Sequence, residues 1–483
     1  MRTRILVSLV LLSSPLLAQT STKASAPGAL NVLDCVNSLR DANGGSCIEA
    51  SSAATLGLLL PYPGQNNTFS APAVIAGGES NGASGASAFI GGGLSNTASA
   101  EYSVIGGGRN NSATYRSSTV AGGRSNHASG YAEGYAAVGG GRSNQSAGDY
   151  STVSGGAYNT ASGDYYGHCS VGGGRSNTAS GDYSTVAGGQ SNLALGYVST
   201  VGGGLSNTAL GPAATIGGGG PNDASGGTAT VSGGAFNSAS GLVSTVGGGR
   251  GNASSGDFAA IGGGDGNTAS GNQATVPGGL TNTALGDFCW AAGRRAKANH
   301  DGAFVWGDGF DGDKTSSTTN QFNVYASGGT RIFSDTSATA GVQLAAGAGS
   351  WTSVSDRNSK ENVEQVDTRQ ILDKLAFIPI STWNYKAQED AIRHMGPMAQ
   401  DFYAAFGLGL GDTTIDAIDP DGVALAAIQG LNAKLTQENS KLRARVDELE
   451  SMRDEVASLK CTVDMMAKQR YRARTIFTAY NDR

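Results

Sequence analysis

The sequence predicts a mainly β protein built from fifteen-residue repeats, followed by a small α/β domain and a C-terminal coiled coil. Three observations support this prediction: a fixed repeat period, an abrupt change in composition, and a heptad pattern near the C-terminus. Residues 71–286 contain only fifteen charged residues and no lysine, whereas 37 of the 129 residues in 355–483 are charged. The net charge of −6 over 483 residues gives no basic surface, so nucleic acid is not expected as a partner.

The first eighteen residues have the pattern of a secretory signal peptide. Arg2 and Arg4 precede an apolar run from Ile5 to Ala18, and small or polar residues follow. A membrane anchor is the alternative, but the run is too short and is interrupted by two serines and a proline. We therefore predict cleavage after Ala18 and export, which makes this a secreted or cell-surface protein of a bacterium.

Export makes disulfide bonds a realistic expectation. Cys35 and Cys47 lie twelve residues apart and form the natural pair, while Cys169, Cys289 and Cys461 are too far apart in sequence to match. The chain has no CxxC motif and no cluster of histidines and cysteines. We therefore expect no metal site and no cofactor.

A β-branched residue, here called the anchor, recurs at a fixed spacing through residues 71–290. Eleven of the thirteen steps between anchors are fifteen residues and two are eighteen, which three-residue insertions at a turn would explain. An asparagine follows every anchor by six residues, an alanine follows twelve anchors by eight, and glycines occupy the second and third places. The anchors are Ile75, Ile90, Ile105, Val120, Val138, Val153, Val171, Val186, Val201, Ile216, Val231, Val246, Ile261 and Val276.

Each repeat is too short and too rich in glycine for a helical hairpin, and its β-branched pair is flanked by turn residues. We predict two short strands and two turns per coil, with the asparagine side chains hydrogen-bonded along the stack. Strand alternation should send the aromatic residues twelve places after an anchor to the opposite face, where they pack between chains or stack on a ligand. These aromatics are Tyr102, Tyr150, Tyr165, Tyr183, Phe258 and Phe288.

Repeats such as VGGGRSNTASGDYST resemble the head repeats of trimeric autotransporter adhesins. The resemblance covers residues 71–290 and implies a left-handed parallel β-roll in which three chains associate. Self-association would also supply burial, because one Val or Ile and one Ala per coil bury little apolar surface against the entropy of fifteen ordered residues. Residues 291–354 restore aromatics and alternation, and are predicted to form a β-rich neck.

The C-terminal region has the pattern of a long helix, with charged residues between apolar positions in KLRARVDELESMRDE. The predicted coiled coil covers residues 422–467, and residues 468–483 form a tail. One amphipathic surface helix is the alternative, but the length of the apolar column favours a coiled coil. This column at heptad spacing consists of Ile428, Leu435, Leu442, Leu449, Val456 and Val463.

Residues 355–421 contain the segments SDRNSK, LAFIPISTWNY and HMGPMAQ. In these segments the region resembles the intramolecular chaperone auto-processing domain of phage endosialidases and tail fibres. By this resemblance the domain trimerises, guides the preceding β-structure into register and then cuts itself away. The resemblance implies Ser355 as nucleophile, Lys360 as general base and cleavage between Val354 and Ser355. Its supporting positions are Asp356, His394, Gly396 and Gln400.

The chemistry of Ser355 and Lys360 agrees with this implication. A serine hydroxyl needs a base to attack an amide, and a lysine serves only if burial or nearby cations keep it neutral. Positions five apart lie about 140° apart on a helix, so the pair requires a turn or loop, and S-D-R-N is turn chemistry. A solvated surface pair is the alternative. The catalytic reading makes the chain a single-turnover autoprotease without multi-turnover activity.

The leading hypothesis is an exported, homotrimeric fibre or adhesin-like surface protein with a host-surface or glycan ligand. A phage-derived tail fibre or spike that binds or degrades glycans is the alternative, although the signal peptide and the lack of paired carboxylates in the repeats count against it. A surface-ordering or ice-binding protein is a third hypothesis, suggested by the regular Thr185, Thr200 and Thr215. The predicted organisation is signal peptide 1–18, N-terminal segment 19–70, head repeats 71–290, neck 291–354, processing domain 355–421, coiled coil 422–467 and tail 468–483.

Overall fold

The structure is a computed structural model that describes residues 66–481, with the exception of residues 71 and 165. The predicted signal peptide, the Cys35–Cys47 pair and Tyr165 lie outside the described residues. The chain divides into two compact units between Tyr183 and Ser184. None of the helices in the described part of the chain is both long enough and apolar enough to span a membrane.

The first unit is a parallel β-solenoid in which each coil contributes two strands of two residues. Equivalent strands of successive coils pair in parallel, so that Ile90 lies opposite Ile105 and Ala98 opposite Ala113. One set of strands consists of Thr68–Phe69, Gly82–Ala83, Thr97–Ala98, Ser112–Ala113, His127–Ala128, Gln145–Ser146, Thr160–Ala161 and Thr178–Ala179. The other consists of Val74–Ile75, Phe89–Ile90, Val104–Ile105, Thr119–Val120, Ala137–Val138, Thr152–Val153 and Ser170–Val171.

The second unit begins with coils of the same kind, and the two units together contain about 17 turns of solenoid. One set of strands consists of Leu193–Ala194, Thr208–Ala209, Asp223–Ala224, Ser238–Ala239, Ala253–Ser254, Thr268–Ala269, Thr283–Ala284, Ala296–Ala298 and Lys314–Thr315. The other consists of Thr185–Val186, Thr200–Val201, Thr215–Ile216, Thr230–Val231, Thr245–Val246, Ala260–Ile261, Thr275–Val276, Trp290–Arg294, Phe304–Gly307 and Phe322–Tyr325, and Gly279–Leu280 also pairs with this set. Parallel pairing therefore continues beyond residue 290 into the segment predicted as a neck.

The asparagine six places after each anchor lies inside the coil, where it holds one coil to the next. Asn207 is fully buried, and its Oδ1 accepts a hydrogen bond from the backbone N–H of Asn222 at 3.1 Å. Its Nδ2 donates to the carbonyls of Gly203 at 2.8 Å and Gly219 at 3.3 Å. The same pattern recurs in both units, which confirms the predicted hydrogen-bonded asparagine ladder. Because these amides are satisfied internally, they can be buried in a thin coil.

The glycine three residues before this asparagine cannot be replaced, because its backbone is left-handed and a side chain would collide with the next coil. Gly204 has a φ of 89°, and a Cβ built on it would lie 2.2 Å from the carbonyl oxygen of Gly219 in the next coil. Any other residue would be strained and would collide with the neighbouring backbone. The second glycine of each pair therefore allows the coils to stack at the distance that strand pairing requires.

The aromatic residues twelve places after an anchor that the structure describes are exposed, but strand alternation is the wrong reason for it. Tyr102 and Phe258 have φ values of 59° and 58°, so they occupy corners with left-handed backbone rather than strand positions. Their exposed fractions are 50% and 54%. The left-handed corners are tolerated because corners of successive coils are hydrogen-bonded to each other. The Tyr102 N–H, for example, donates to the Ala86 carbonyl in the preceding coil.

The asparagine ladder of the second unit ends at Asn282, although strand pairing continues into the following coils. Asn282 Oδ1 accepts from the backbone N–H of Ala296 at 2.9 Å, and alanine has no side-chain amide to continue the ladder. Nearby, the buried ammonium of Lys314 lies 3.4 Å from an Asp308 carboxylate oxygen. It also donates to the backbone carbonyls of Arg294, Asp308 and Phe310. A buried charge of this kind is stable only because it is paired and fully hydrogen-bonded.

After the solenoid, the second unit continues with a small antiparallel sheet, a mixed α/β region and a long helix. The three strands of the sheet are Gly329–Phe333, Gly341–Ala345 and Thr352–Ser353. The elements that follow are a 3-10 turn at Arg357–Ser359, helix α1 at Thr368–Leu375, a strand pair at Ser381–Trp383 and His394–Gly396, helix α2 at Ala399–Phe406, and helix α3 at Ile418–Asn481. This order confirms the predicted small α/β region and C-terminal helix.

The side chains of helix α3 are buried only near its start, where the helix packs on α1. Val423 and Ala427 are buried, and Gly430 lies against the Thr368 carbonyl at the start of α1. Farther along, the Arg369 guanidinium of α1 donates a hydrogen bond to the Gln437 side chain. From residue 431 to residue 477 every side chain of α3 is exposed. The helix is as predicted, whereas its association into a coiled coil stays a prediction.

Candidate functional site

The candidate site begins where the antiparallel sheet ends. The last strand, Thr352–Ser353, pairs with the strand Gly341–Ala345, and the Val354 N–H donates to the Gly341 carbonyl at 2.9 Å. The backbone is therefore held by the sheet up to Val354, immediately before Ser355. A backbone that is fixed at Val354 helps to hold the Val354 carbonyl in one position relative to the Ser355 side chain.

A capped turn brings Lys360 back towards Ser355. Asp356 is the N-cap of the 3-10 turn, and its side chain accepts from the backbone N–H of Asn358 at 2.9 Å. Its backbone carbonyl also accepts from the hydroxyl of Ser359 at 2.8 Å. The turn ends at Lys360, whose N–H donates to the Arg357 carbonyl. The turn expected from S-D-R-N is present, and an aspartate is well suited to cap it.

Within this turn the Lys360 ammonium donates to the Ser355 hydroxyl oxygen at 2.6 Å. Both side chains are exposed in the single chain. To act as a base, Lys360 has to be neutral and accept the hydroxyl proton, which requires burial or a nearby positive charge. The two side chains are close enough for a proton to pass between them. For Lys360 to act as the base, the pair would also have to be shielded from water.

The other residues implied by the family resemblance lie apart from this pair. His394 and Gly396 are on the strand His394–Gly396, and Gln400 is in the first turn of α2. Among the described residues, no hydrogen bond joins any of these three side chains or backbones to Ser355 or Lys360. Asp356 is the exception, because it shapes the turn between them.

His394 belongs instead to a small polar and aromatic cluster. Its Nε2 lies 3.0 Å from Gln388 Oε1, and its ring centroid lies 4.9 Å from that of Trp383 and 5.8 Å from that of Tyr385. Trp383 and His394 face each other directly across the strand pair. Gln388 was not singled out from the sequence, because only the strand register shows that the loop between the strands reaches His394.

The described residues contain no group of three or more His, Cys, Asp or Glu side chains that could hold a metal ion. Cys169, Cys289 and Cys461 form no disulfide within the described part of the chain. Cys169 and Cys289 are buried at equivalent coil positions, and burial raises the pKa of the Cys289 thiol to about 11. A thiol of this kind behaves as a small core residue rather than a nucleophile.

Comparison with known families identifies the region around the serine–lysine pair. The family described as "Chaperone of endosialidase" matches residues 355–407, so the match starts at Ser355 itself and extends into α2. No curated protein matches the chain. The match covers the capped turn, α1, the strand pair and α2. Residues 355–407 are therefore a chaperone-of-endosialidase domain, preceded in this chain by a parallel β-solenoid.

Proposed function

We propose that this protein is an exported, trimeric fibre or adhesin-like surface protein whose C-terminal region assembles the trimer and then cuts itself off before Ser355. The family match and the solenoid before it fit a trimeric protein of the tail-fibre type. The observation that carries the proposal is the 2.6 Å hydrogen bond between Lys360 Nζ and Ser355 Oγ at the first residue of the matched domain.

The exposed part of helix α3 supports association with other copies of the chain. The six residues of the heptad column are between 48% and 63% exposed in the single chain. An isolated helix gains little stability in water, and a long apolar column left in solvent is unfavourable. Packing α3 against the same helix of two other chains buries this column.

A solenoid of similar coils gives a reason for such an assembly region. Neighbouring chains with near-identical coils can pair one coil out of register at little cost, and non-local pairing of strands is slow. A coiled coil that forms first places three chains in register before their solenoids associate. Its later removal leaves an assembled fibre without a route back, so that the fibre is kinetically stable.

The cleavage step consumes one water molecule. Ser355 Oγ attacks the carbonyl carbon of Val354 while its proton passes to Lys360. The peptide C–N bond then breaks, the Ser355 nitrogen takes a proton, and an ester joins Val354 to the serine oxygen. Water hydrolyses this ester to a Val354 carboxylate and a Ser355 hydroxyl with a free amino group. Lys360 acts as base in the attack and returns its proton to the leaving amine.

Trimer formation would supply the water exclusion that this chemistry needs. Ser355 and Lys360 are both exposed in one chain, where the ammonium form of a lysine is favoured by solvation. A neighbouring chain that covers the turn would favour the neutral amine. Cleavage would then follow assembly, because only the assembled state contains an active base.

The test is intact mass measurement under denaturing conditions on the chain without residues 1–18. Wild type should yield a fragment of 129 residues that begins at Ser355, while Ser355→Ala and Lys360→Met should stay whole. Ser353→Ala is the matched control and should be cut normally, because its side chain lies outside the pair. An intact wild-type chain in its assembled form would disprove self-cleavage and leave the C-terminal region as a permanent trimerisation element.

The endosialidase part of the family description favours keeping the tail-fibre alternative. That alternative expects the solenoid to bind or degrade a glycan. The two proposals share the processing step and differ in turnover: a degrading enzyme releases sugar fragments continuously, whereas an adhesin-like fibre releases none. Incubating the processed protein with a polysaccharide panel and measuring new reducing ends separates them.

A further inference from the structure

The first unit contains two loops that interrupt the regular coils. The steps from Val120 to Val138 and from Val153 to Val171 are eighteen residues rather than fifteen. The extra residues lie in the segments 130–134 and 163–167, of which residue 165 is outside the described residues. The two segments are at the same corner of two coils that are separated by one ordinary coil. The two loops therefore flank the corner of that ordinary coil, which carries Asp149 and Tyr150.

The loop at 130–134 is a built structure. The carboxylate of Asp149 accepts hydrogen bonds from the four consecutive N–H groups of residues 131–134, at distances from 2.7 to 2.9 Å. Burial acts to raise the pKa of Asp149, but these backbone hydrogen bonds outweigh it and lower the pKa below its usual value. In the second loop, Asp182 similarly accepts from the N–H groups of Tyr166 and Gly167 at 3.2 Å each.

Four aromatic rings stack in a row along the coils that carry these loops. The centroid distances are 5.0 Å from Tyr135 to Tyr150, 4.8 Å from Tyr150 to His168 and 5.0 Å from His168 to Tyr183. The interplanar angles are 8°, 5° and 3°. All four residues occupy left-handed corners of successive coils and are exposed. The rings therefore form a continuous row of stacked aromatic side chains on the surface of the first unit.

The loops and the row enclose a cleft of about 410 Å³, within the size range of small-ligand sites. Tyr131 and Glu133 lie on one side of it, and Tyr166 and His168 on the other, with Tyr150 between them. The Tyr150 hydroxyl donates to Glu133 Oε2 at 3.0 Å, which fixes this carboxylate at the cleft. Asp149 is occupied by the loop backbone, so Glu133 is the carboxylate that can accept from a ligand.

We propose that this cleft binds a neutral glycan segment, with sugar rings placed against Tyr131 and Tyr166 and a sugar hydroxyl donating to Glu133. A sugar ring has an apolar C–H face and a polar rim, which match aromatic side chains next to a carboxylate. The residues that line the cleft include two carboxylates and no lysine or arginine. An acidic glycan would meet negative charge without a compensating cation, and is disfavoured.

The position of the cleft favours accessibility in an assembled protein. Its loops are insertions at a corner whose length varies from coil to coil, and variable segments of repeat proteins lie on the surface. An interface between copies built on repeated coils would be interrupted at these two insertions. The proposal rests on the binding role assigned to the solenoid above, but not on self-cleavage.

The test measures binding by titration calorimetry to the assembled protein without residues 1–18. The neutral probes are cellotetraose, chitotetraose and mannotetraose, the acidic probe is tetragalacturonate, and the cationic probe is choline. At least one neutral probe should bind, with the acidic probe weaker by tenfold or more. Tyr131→Ala and Tyr166→Ala should each reduce neutral-probe affinity by about tenfold. Glu133→Gln, which preserves the loop, should also weaken it.

Tyr102→Ala is the matched control, because Tyr102 is an exposed tyrosine at the same corner of an ordinary coil. It should bind as wild type does. The proposal is wrong if no neutral probe binds, if tetragalacturonate or choline binds more tightly, or if the control loses as much affinity as Tyr131→Ala. Repeating the titration with Ser355→Ala separates the two proposals, because a loss of cleavage alone should leave glycan affinity unchanged.

Discussion

The solenoid coils of the second unit and the exposed length of helix α3 solve the problem of stability in opposite ways. Each inner coil buries its anchor, its alanine and its asparagine against the next coil of the same chain. Beyond residue 430, every side chain of helix α3 up to residue 477 is exposed, including those of its apolar column. The coils bury their apolar residues within one chain, whereas the apolar column of α3 would be buried only in the proposed trimer.

Breaking the apolar column should have the largest effect. Leu442→Asp places a charge in the middle of the column, where burial in a coiled coil would strand it. We expect the protein to change from trimer to monomer in analytical ultracentrifugation, and self-cleavage to fall by at least about tenfold. Ser440→Asp, on another face of the same helix turn, should change neither. A trimeric Leu442→Asp protein would show that α3 does not hold the chains together.

Removing one rung of the asparagine ladder tests the opposite region. Asn207→Leu leaves the Gly203 and Gly219 carbonyls and the Asn222 N–H without their side-chain partner. The Gly219 carbonyl keeps the Leu205 N–H as a partner, so two groups are left without one. Because each such group costs about 1–3 kcal/mol, we expect a loss of about 2 kcal/mol or more in chemical denaturation. The control Leu205→Ala, at a position that is 47% exposed, should cost less than about 0.5 kcal/mol. Equal effects would contradict the stabilising role of the ladder.

Two glycines of helix α3 sharpen the boundary between its docked and exposed parts. A Cβ on Gly430 would lie 2.2 Å from the Thr368 carbonyl oxygen, whereas one on Gly422 would meet nothing within 4 Å. Gly430→Ala should therefore destabilise the docking of α1 by about 1–3 kcal/mol through overpacking. Gly422→Ala should stabilise the helix by up to about 1 kcal/mol. Hydrogen exchange in α1 should become faster in Gly430→Ala and should not become faster in Gly422→Ala. Faster exchange in both variants, or in neither, would contradict the close contact between Gly430 and the Thr368 carbonyl.

Much of the solenoid could be predicted because its information is local and repeated. The anchors, the double glycines and the asparagines each have one physical task that recurs in every coil, so the period itself shows the fold. The left-handed corners could not be predicted in this way. They hold residues as different as Tyr102, Val198, Ala213 and Gln273, and carry no common chemical signature. The conformation at these corners is imposed by the stacking of coils rather than by the side chain.

The candidate site shows the same division. The turn from Ser355 to Lys360 depends on an N-cap and a short sequence, and both could be read from SDRNSK. The environment of His394 depends on antiparallel register and on a loop that returns to it, which no local pattern specifies. The cleft in the first unit was visible only as two steps of eighteen residues. No sequence pattern indicates the hydrogen bonds of Asp149 or the row of stacked rings, because both join residues of different coils.

The capped end of the asparagine ladder has a consequence for how molecules meet in solution. Each ladder residue offers an acceptor to the coil that follows, so an uncapped last coil would be a template for a coil from another molecule. Head-to-tail addition of that kind has no natural stopping point and produces open-ended filaments. Ala296 withholds the next acceptor, and Lys314 occupies the carbonyls around it. The ladder therefore ends before the last coils of the solenoid, where Ala296–Ala298 still pairs with Lys314–Thr315. Those last coils lack the asparagine acceptor through which a coil of another molecule could continue the ladder.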